Sequence, residues 1–224
     1  MWLISCVTRH MNIAYKSKQE LRQAVWAFME GNNLVTFPRP CYGRIPNFIG
    51  SRNAAEMLKT LPEWKEARVI FSAPDSSLHP ARCEALKDGK ILLVAAPRLT
   101  GFYLIKDIPP EKAFEASAIR GFSRYGRAVK INDYLPKVDL YITGAVAVDR
   151  KGNRIGKGTG YGDKEDEILS KAGLLDEKTP RVALVHEAQV FEDFSSLMEK
   201  RDKKVTIIVT PKEVYRIQYS GRNQ

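Results

Sequence analysis

Residues 154–169 read Arg-Ile-Gly-Lys-Gly-Thr-Gly-Tyr-Gly-Asp-Lys-Glu-Asp-Glu-Ile-Leu, with Gly156, Gly158, Gly160 and Gly162 at alternate positions. Glycines, lacking Cβ, let backbone N–H groups approach an anion, and a helix start just beyond them adds a favourable field. The chemistry such a spacing offers is the binding of a phosphate chain. Two familiar phosphate patterns do not fit. No Gly-x-x-x-x-Gly-Lys-Ser/Thr string occurs, and the third glycine of the dinucleotide pattern is replaced by Tyr161 or Asp163, depending on where counting starts. The same spacing admits a glycine-rich turn with no ligand. Lys18 and Arg22, one helical turn apart, read as cations overhanging a cleft or as edge cations with solvated heads. No Ser-His-Asp or Cys-His signature is present. His79, His186 and Glu187 lack metal-ligand spacing, and His186 is a candidate for the wall of a pocket.

The elements that must position these residues follow from periodicity and punctuation. Residues 138–148, apolar and β-branched but broken by Gly144, predict one or two buried strands. Residues 163–172 predict a helix with Glu165, Asp166 and Glu167 in its first turn and Gly173 beyond its end. Ser17-Lys-Gln-Glu20 predicts a capping box opening a helix to about Glu30, closed by Gly31, with Leu21, Val25 and Phe28 as its apolar stripe. Further helices are expected from Ser51, as cap, to Leu58, over 80–87 with Gly89 behind, over 110–119, and around 194–200. Strands are expected at 67–71, 91–96, 182–185 and 205–209, and residues 37–48, with three prolines, as an extended connection. Apolar strands alternating with amphipathic helices predict an α/β protein with a mostly parallel central sheet. Ligands in such sheets sit at strand C-terminal ends, where Pro97-Arg98, the glycine loop and His186-Glu187 fall.

With 44% hydrophobic and 28% charged residues in 224, the composition is that of a globular protein with a real core, and no apolar run reaches membrane-span length. A net charge of +10 points to a polyanionic partner or to a lysine-rich solvated surface. Cys6, Cys41 and Cys83 show no redox or metal spacing and read as reduced thiols in a cytoplasm. Residues 1–15 read as a disordered extension or one ahead of a true start at Met11, 16–216 as one domain and 217–224 as a tail. Residues 121–127 and 215–222 interleave Phe122, Tyr125, Tyr215 and Tyr219 with arginines, as single-strand nucleic-acid binders do; a basic loop and a frayed tail are the preferred reading.

Together, residues 138–149 and the run from Arg154 to Lys164 resemble the signature of 5-formyltetrahydrofolate cyclo-ligases (methenyltetrahydrofolate synthetases), Arg-x-Gly-x-Gly-x-Gly-Tyr-Tyr-Asp-Arg after a strand. Lys18-Gln-Glu-Leu-Arg22 resembles the family's nucleotide contact. Gly89-Lys90 with Pro97-Arg98, and the strand ending in Thr210-Pro211, resemble two further segments. Gly162 stands where the family has a second tyrosine, and Lys164 where it has arginine; Arg201-Asp202 stands at its late His-Asp pair. Residues 43–48, 51–58 and Trp64 resemble instead the diverged methenyltetrahydrofolate-synthetase-domain-containing branch, in which the fold transfers more safely than the activity.

The resemblance implies a three-layer α/β/α fold of the kind shared with sugar-phosphate isomerases and coenzyme A transferases. It implies ATP-dependent cyclisation of 5-formyltetrahydrofolate to 5,10-methenyltetrahydrofolate, with ATP and Mg²⁺ required. Lys18, Arg22, Arg154, Gly156, Gly158, Gly160, Tyr161, Gly162, Asp163 and Lys164 would then meet ATP. Asp163 would hold Mg²⁺, or cap its helix, or both. Asp75, Arg98 and Tyr161 would meet the folate, and Arg39 and Arg44 join Arg98 as candidates for its carboxylates. A diverged member that binds nucleotide or folate without ligation, and a basic nucleic-acid binder, are the alternatives.

Overall fold

The computed structural model describes residues 15–131 and 133–218. Cys6, Tyr219, Arg222, and the expectations for the extension and for most of the tail lie outside the described residues.

In chain order the elements are α1 (Lys18–Gly31), α2 (Ser51–Lys59), α3 (Pro62–Glu66), β1 (Val69–Ser72), α4 (His79–Lys87), β2 (Ile91–Ala95) and β3 (Phe102–Ile105). There follow α5 (Ala113–Ala116), α6 (Phe122–Tyr125), β4 (Arg127–Val129), β5 (Leu140–Thr143), β6 (Ala147–Asp149) and β7 (Arg154–Ile155). The last are α7 (Tyr161–Lys171), β8 (Arg181–Leu184), β9 (Val190–Phe191), β10 (Ile207–Val209) and β11 (Val214–Arg216). The main sheet runs β11-β10-β8-β5-β1-β2-β3-β4. Its centre, β10 to β2, is parallel, while β11, β3 and β4 add antiparallel edges.

Both faces of the sheet are covered, which is why its central strands are continuous apolar runs. Ile70 of β1 turns towards one layer with Leu92, Leu140 and Val182, under α1, α2 and α4. Val69 and Phe71 turn to the other with Leu93, Tyr141 and Leu169 of α7. Phe71 and Tyr141 stack at 4.8 Å. Gly144 ends β5, and the chain then leaves the main sheet for a small one, β7-β6-β9. Its hairpin is pinned by the fully buried Asp149. One carboxylate oxygen accepts the amides of Lys151 and Asn153, and the other those of Asn153 Nδ2 and Phe194. That hairpin aims Arg154 and the glycine loop at the main sheet.

Several local expectations are corrected. Ser17 does cap α1, its Oγ accepting from the Glu20 amide, but Glu20 takes the amide of Lys16 instead of closing a box. Gly31 is the last helical residue, and Asn33, not a glycine, turns left-handed beyond it. Trp26 and Met29 join Leu21 and Val25 in the buried stripe in place of the half-buried Phe28. Ser51 is the first residue of α2, with Gly50 in the cap place. The 110–119 helix is broken into short turns around α5, and 194–200 holds only a 3₁₀ turn, because Asp149 accepts the Phe194 amide and ties that segment to the hairpin. α7 starts at Tyr161, two residues early, which moves Glu165 and Asp166 into buried positions of its second turn. Strands β3, β4, β7, β9 and β11 were not anticipated; all are runs of two to four residues, too short for a periodic signal. Among the described residues no helix is long and apolar enough to cross a membrane.

Candidate functional site

A cavity of about 900 Å³ opens at the C-terminal ends of β1, β2 and β5. Residues 156–163 and the first turns of α1 and α7 form one end, and the segments after β1 and β5 form the other. Of the residues singled out for ATP, folate or metal, all but Arg39 line it: Lys18, Arg22 and Arg154; Gly156, Gly158, Gly160, Tyr161, Gly162, Asp163 and Lys164; and Asp75, Arg44 and Arg98. Chain order had scattered them over nearly 150 positions; the crossovers of a parallel sheet gather them at one edge.

At the loop end, Gly158 and Gly160 have φ of +101° and +70°, a left-handed path closed to most side chains. Among the described residues no protein acceptor takes the N–H groups of residues 156–160. Arg22 lies beneath this loop, its Nε donating to the Gly156 carbonyl at 2.7 Å. Lys18 is already paired, 2.5 Å from Asp202 and 3.3 Å from Glu199. The Arg154 guanidinium, buried, donates to Asp163 Oδ1 at 2.7 Å, and the Lys203 amide reaches the same oxygen at 3.4 Å. Asp163 therefore does not cap α7; Gly160 occupies that place. A Cβ on Gly162 would stand 2.7 Å from Arg154 Nη1. A side chain at 162 would therefore require the Arg154 guanidinium to shift. On the rim, Arg98 and Leu99 are both left-handed without being glycine, a conformation held by its surroundings.

At the sheet end, Asp75 sits 3.9 Å from Lys157, and burial raises its carboxyl above the usual carboxylate range. A Cβ on Gly144 would lie 2.7 Å from Ile45 and 3.2 Å from Asp75 Oδ2, so glycine there lets both approach β5. Arg82, 1% exposed, donates to the carbonyls of Ala73, Asp75 and Ser117 and stacks on Phe122. It clamps the segment that carries Asp75. Glu165 of α7 also lines the cavity while only 4% exposed. Its pKa is pushed up to about 8, first by burial and then by the charge of Asp75. Among the described residues no donor reaches its buried Oε2.

Arg44 joins the rim, whereas Arg39 is held by Glu30 away from the cavity. His79 faces the Phe114 carbonyl, and His186 accepts the Ala188 amide and does not line the cavity. In the aromatic–cation stretches several of the described residues are engaged internally. Phe122 is buried, Tyr125 and Arg124 meet Glu115, Tyr215 lies under Arg150, and Arg216 pairs with Glu63. Glu165, Lys157, Arg82, Glu199 and Lys203 were not foreseen as site residues. Only Lys157, inside the glycine string, carried a visible signal.

Set beside known proteins, residues 14–211 match the 5-formyltetrahydrofolate cyclo-ligase family. The methenyltetrahydrofolate synthase domain-containing protein of Bos taurus is 39% identical over 203 residues, 88% of this chain and 53% of that protein. The chain thus spans about half the length of such relatives. A probable 5-formyltetrahydrofolate cyclo-ligase of Schizosaccharomyces pombe is 27% identical over 84% of this chain and 98% of its own. The solved 5,10-methenyltetrahydrofolate synthetase of Aquifex aeolicus shares the fold, with a TM-score of 0.57 and 24% identity over 92% of this chain and 95% of that one.

Proposed function

The chain belongs to the 5-formyltetrahydrofolate cyclo-ligase family, and from that premise we propose that its cavity binds Mg-ATP at the loop end and cyclises 5-formyltetrahydrofolate at the sheet end. The observation that carries this reading is the meeting, in one cavity, of unpaired loop amides with the cations of α1. Such amides, on a half-buried to exposed loop, are donors open to an anion. ATP, when bound, supplies the phosphoryl group that turns the formyl oxygen into a leaving group, and Mg²⁺ neutralises its charge.

The residues present fit both. The N–H groups of residues 156–160 hold phosphate oxygens, and Arg22, fixed by the Gly156 carbonyl, adds a charge-assisted bond. Asp163 keeps Oδ2 for a cation, since Arg154 and the Lys203 amide engage only Oδ1. Among the described residues no cluster of three or more His, Cys, Asp or Glu forms a metal cage. One carboxylate completed by phosphate oxygens is the usual arrangement for Mg²⁺. Lys164 follows Asp163 at the open edge. Tyr161 and Asp75 face the folate ring, and Arg44 and Arg98 on the rim suit its carboxylates. Cys41 and Cys83 are free and buried, which supports a reducing, cytoplasmic setting.

A second reading, a family member that binds nucleotide without ligation, is favoured by Gly162, where a folate-facing ring is absent. Calorimetric titration with Mg-ATP and the ATP-dependent appearance of methenyltetrahydrofolate absorbance separate the two. Asp163→Ala and Gly160→Val are expected to abolish nucleotide binding, the valine because a β-branched residue resists φ of +70°. A folded wild type that does not bind Mg-ATP rejects both readings. Binding without turnover leaves the second.

A further inference from the structure

Arg82, in α4, is 1% exposed, and burial lowers its pKa to about 10, so it stays charged at neutral pH. Among the described residues no carboxylate stands within ion-pair distance of it. Its Nη1 donates to the carbonyls of Ala73 at 2.9 Å and Asp75 at 3.0 Å, and its Nε to that of Ser117 at 2.9 Å. The guanidinium lies over the Phe122 ring, 5.4 Å from its centroid. A buried cation without a counter-ion is a costly device for stability alone, since apolar side chains of like volume often serve as well or better.

The fork reaches two walls at once. Ala73, Pro74 and Asp75 line the sheet end of the cavity from the segment after β1, and Ile119 lines it two residues beyond Ser117. Arg82 itself does not line the cavity. The acid that acts on it is Asp75. Burial raises the Asp75 carboxyl; Lys157 of the glycine loop, Arg82 of α4 and Arg154 of β7 draw it back, and Glu165 of α7 faces it as a second acid. A planar guanidinium holds its acceptors at fixed separations, which a flexible ammonium cannot do. We propose that Arg82 is a positioning residue for the sheet end: from behind, it sets the gap between the wall at 73–75 and the wall at 117–119, and so governs how well the substrate's ring fits without touching it. The inference rests on the folate reading for the identity of the ring. It does not depend on whether cyclisation occurs.

The test uses the full chain with Arg82→Gln and Arg82→Lys. Calorimetry measures the affinities for 5-formyltetrahydrofolate and for Mg-ATP; hydrogen exchange and carboxyl NMR are read without ligand. Arg82→Gln is expected to lose about tenfold or more in 5-formyltetrahydrofolate affinity, within the range that a misplaced wall costs. Its Mg-ATP affinity should stay within about twofold of wild type, as for a distant site. Residues 73–78 and 117–121 should exchange faster together, and the Asp75 titration should move to higher pH, because a cation that favours the carboxylate is gone. Arg82→Lys keeps the charge but not the fork. It should hold the Asp75 titration near that of wild type and restore only part of the affinity. A side chain that served stability alone would weaken both ligands alike or neither. Unchanged 5-formyltetrahydrofolate affinity in Arg82→Gln, an equal loss for Mg-ATP, an unmoved Asp75 titration, or faster exchange in one segment without the other overturns the inference. If Arg82→Gln does not fold, Arg82→Lys decides: folate affinity lost with Mg-ATP retained supports the inference, and any other result overturns it. A wild type that binds Mg-ATP but no 5-formyltetrahydrofolate sinks the folate reading alone. The two measurements without ligand then decide: joint loosening with a shifted Asp75 supports the role of Arg82, and anything less overturns it.

Discussion

The two ends of the cavity solve opposite problems. At the loop end Arg154 is buried, but other charges around it stand near solvent: the side chains of Asp163, Lys203, Glu199 and Arg201 are 39%, 44%, 54% and 83% exposed. At the sheet end Glu165 and Arg82 are 4% and 1% exposed. Exposed charges are screened and cost little to leave idle, while buried ones are tied to folding itself. The difference teaches that mutations at the loop end should alter ligand affinity with the fold intact. Mutations at the sheet end should alter stability even with no ligand present.

The largest effect expected concerns Glu165 and pH. In the unfolded chain its carboxyl titrates near its ordinary value of 4.5, whereas the folded chain holds the proton up to about pH 8. Between those values the folded state binds more protons, so raising pH destabilises it, and the loss is complete above about pH 8. Glu165→Gln escapes this penalty. Urea unfolding should show the variant gaining on wild type steadily across that window, by as much as roughly 4–5 kcal/mol at its top. A stability difference that does not change with pH would break the contrast between the two ends.

Next in size is Arg82→Met. The methionine fills the space but leaves the carbonyls of Ala73, Asp75 and Ser117 without their donor. A loss of about 3 kcal/mol in unfolding free energy is expected, at about 1–3 kcal/mol for each orphaned acceptor, partly relieved by water. A variant as stable as wild type would show that the clamp on Asp75 is dispensable.

At the loop end, Arg22→Ala should cost roughly 1.5–3 kcal/mol of Mg-ATP affinity with the melting temperature nearly unchanged. Lys18→Ala should cost less, under about 1 kcal/mol, because Lys18 must first leave Asp202 and Glu199 before it can serve a phosphate. Equal losses for the two would mean that the acids swing away freely. If both variants lost stability instead of affinity, the division between the ends would fail from the other side.

How far the sequence reached can be traced residue by residue. The glycine loop was visible because alternate glycines have few uses, and the strands around it because burial on both faces demands continuous apolar runs. The helices closed by a glycine in the left-handed conformation, α4 with Gly89 and α7 with Gly173, ended where expected. Segments held by distant partners did not behave as their local pattern implied. Phe194 is bound to Asp149, and Ser51 follows a left-handed Gly50.

By itself, then, the sequence determined a parallel α/β layer structure with a glycine loop at the strand ends, because periodicity and glycine geometry are local properties of the chain. Tertiary structure alone decided which charges are idle and which are coupled. Glu165, Asp166 and Glu167 are three consecutive acids with the same local propensity. A two-residue shift of the helix start and the packing of α7 on the sheet bury the first without a partner, pair the second with Arg181 and leave the third at the surface with Lys171. Lys18 and Asp202, 184 positions apart, meet only because the main sheet and the small one bring α1 and the segment before β10 to the same rim. Desolvation and pairing depend on what the fold places within a few ångströms, and no local pattern carries that information.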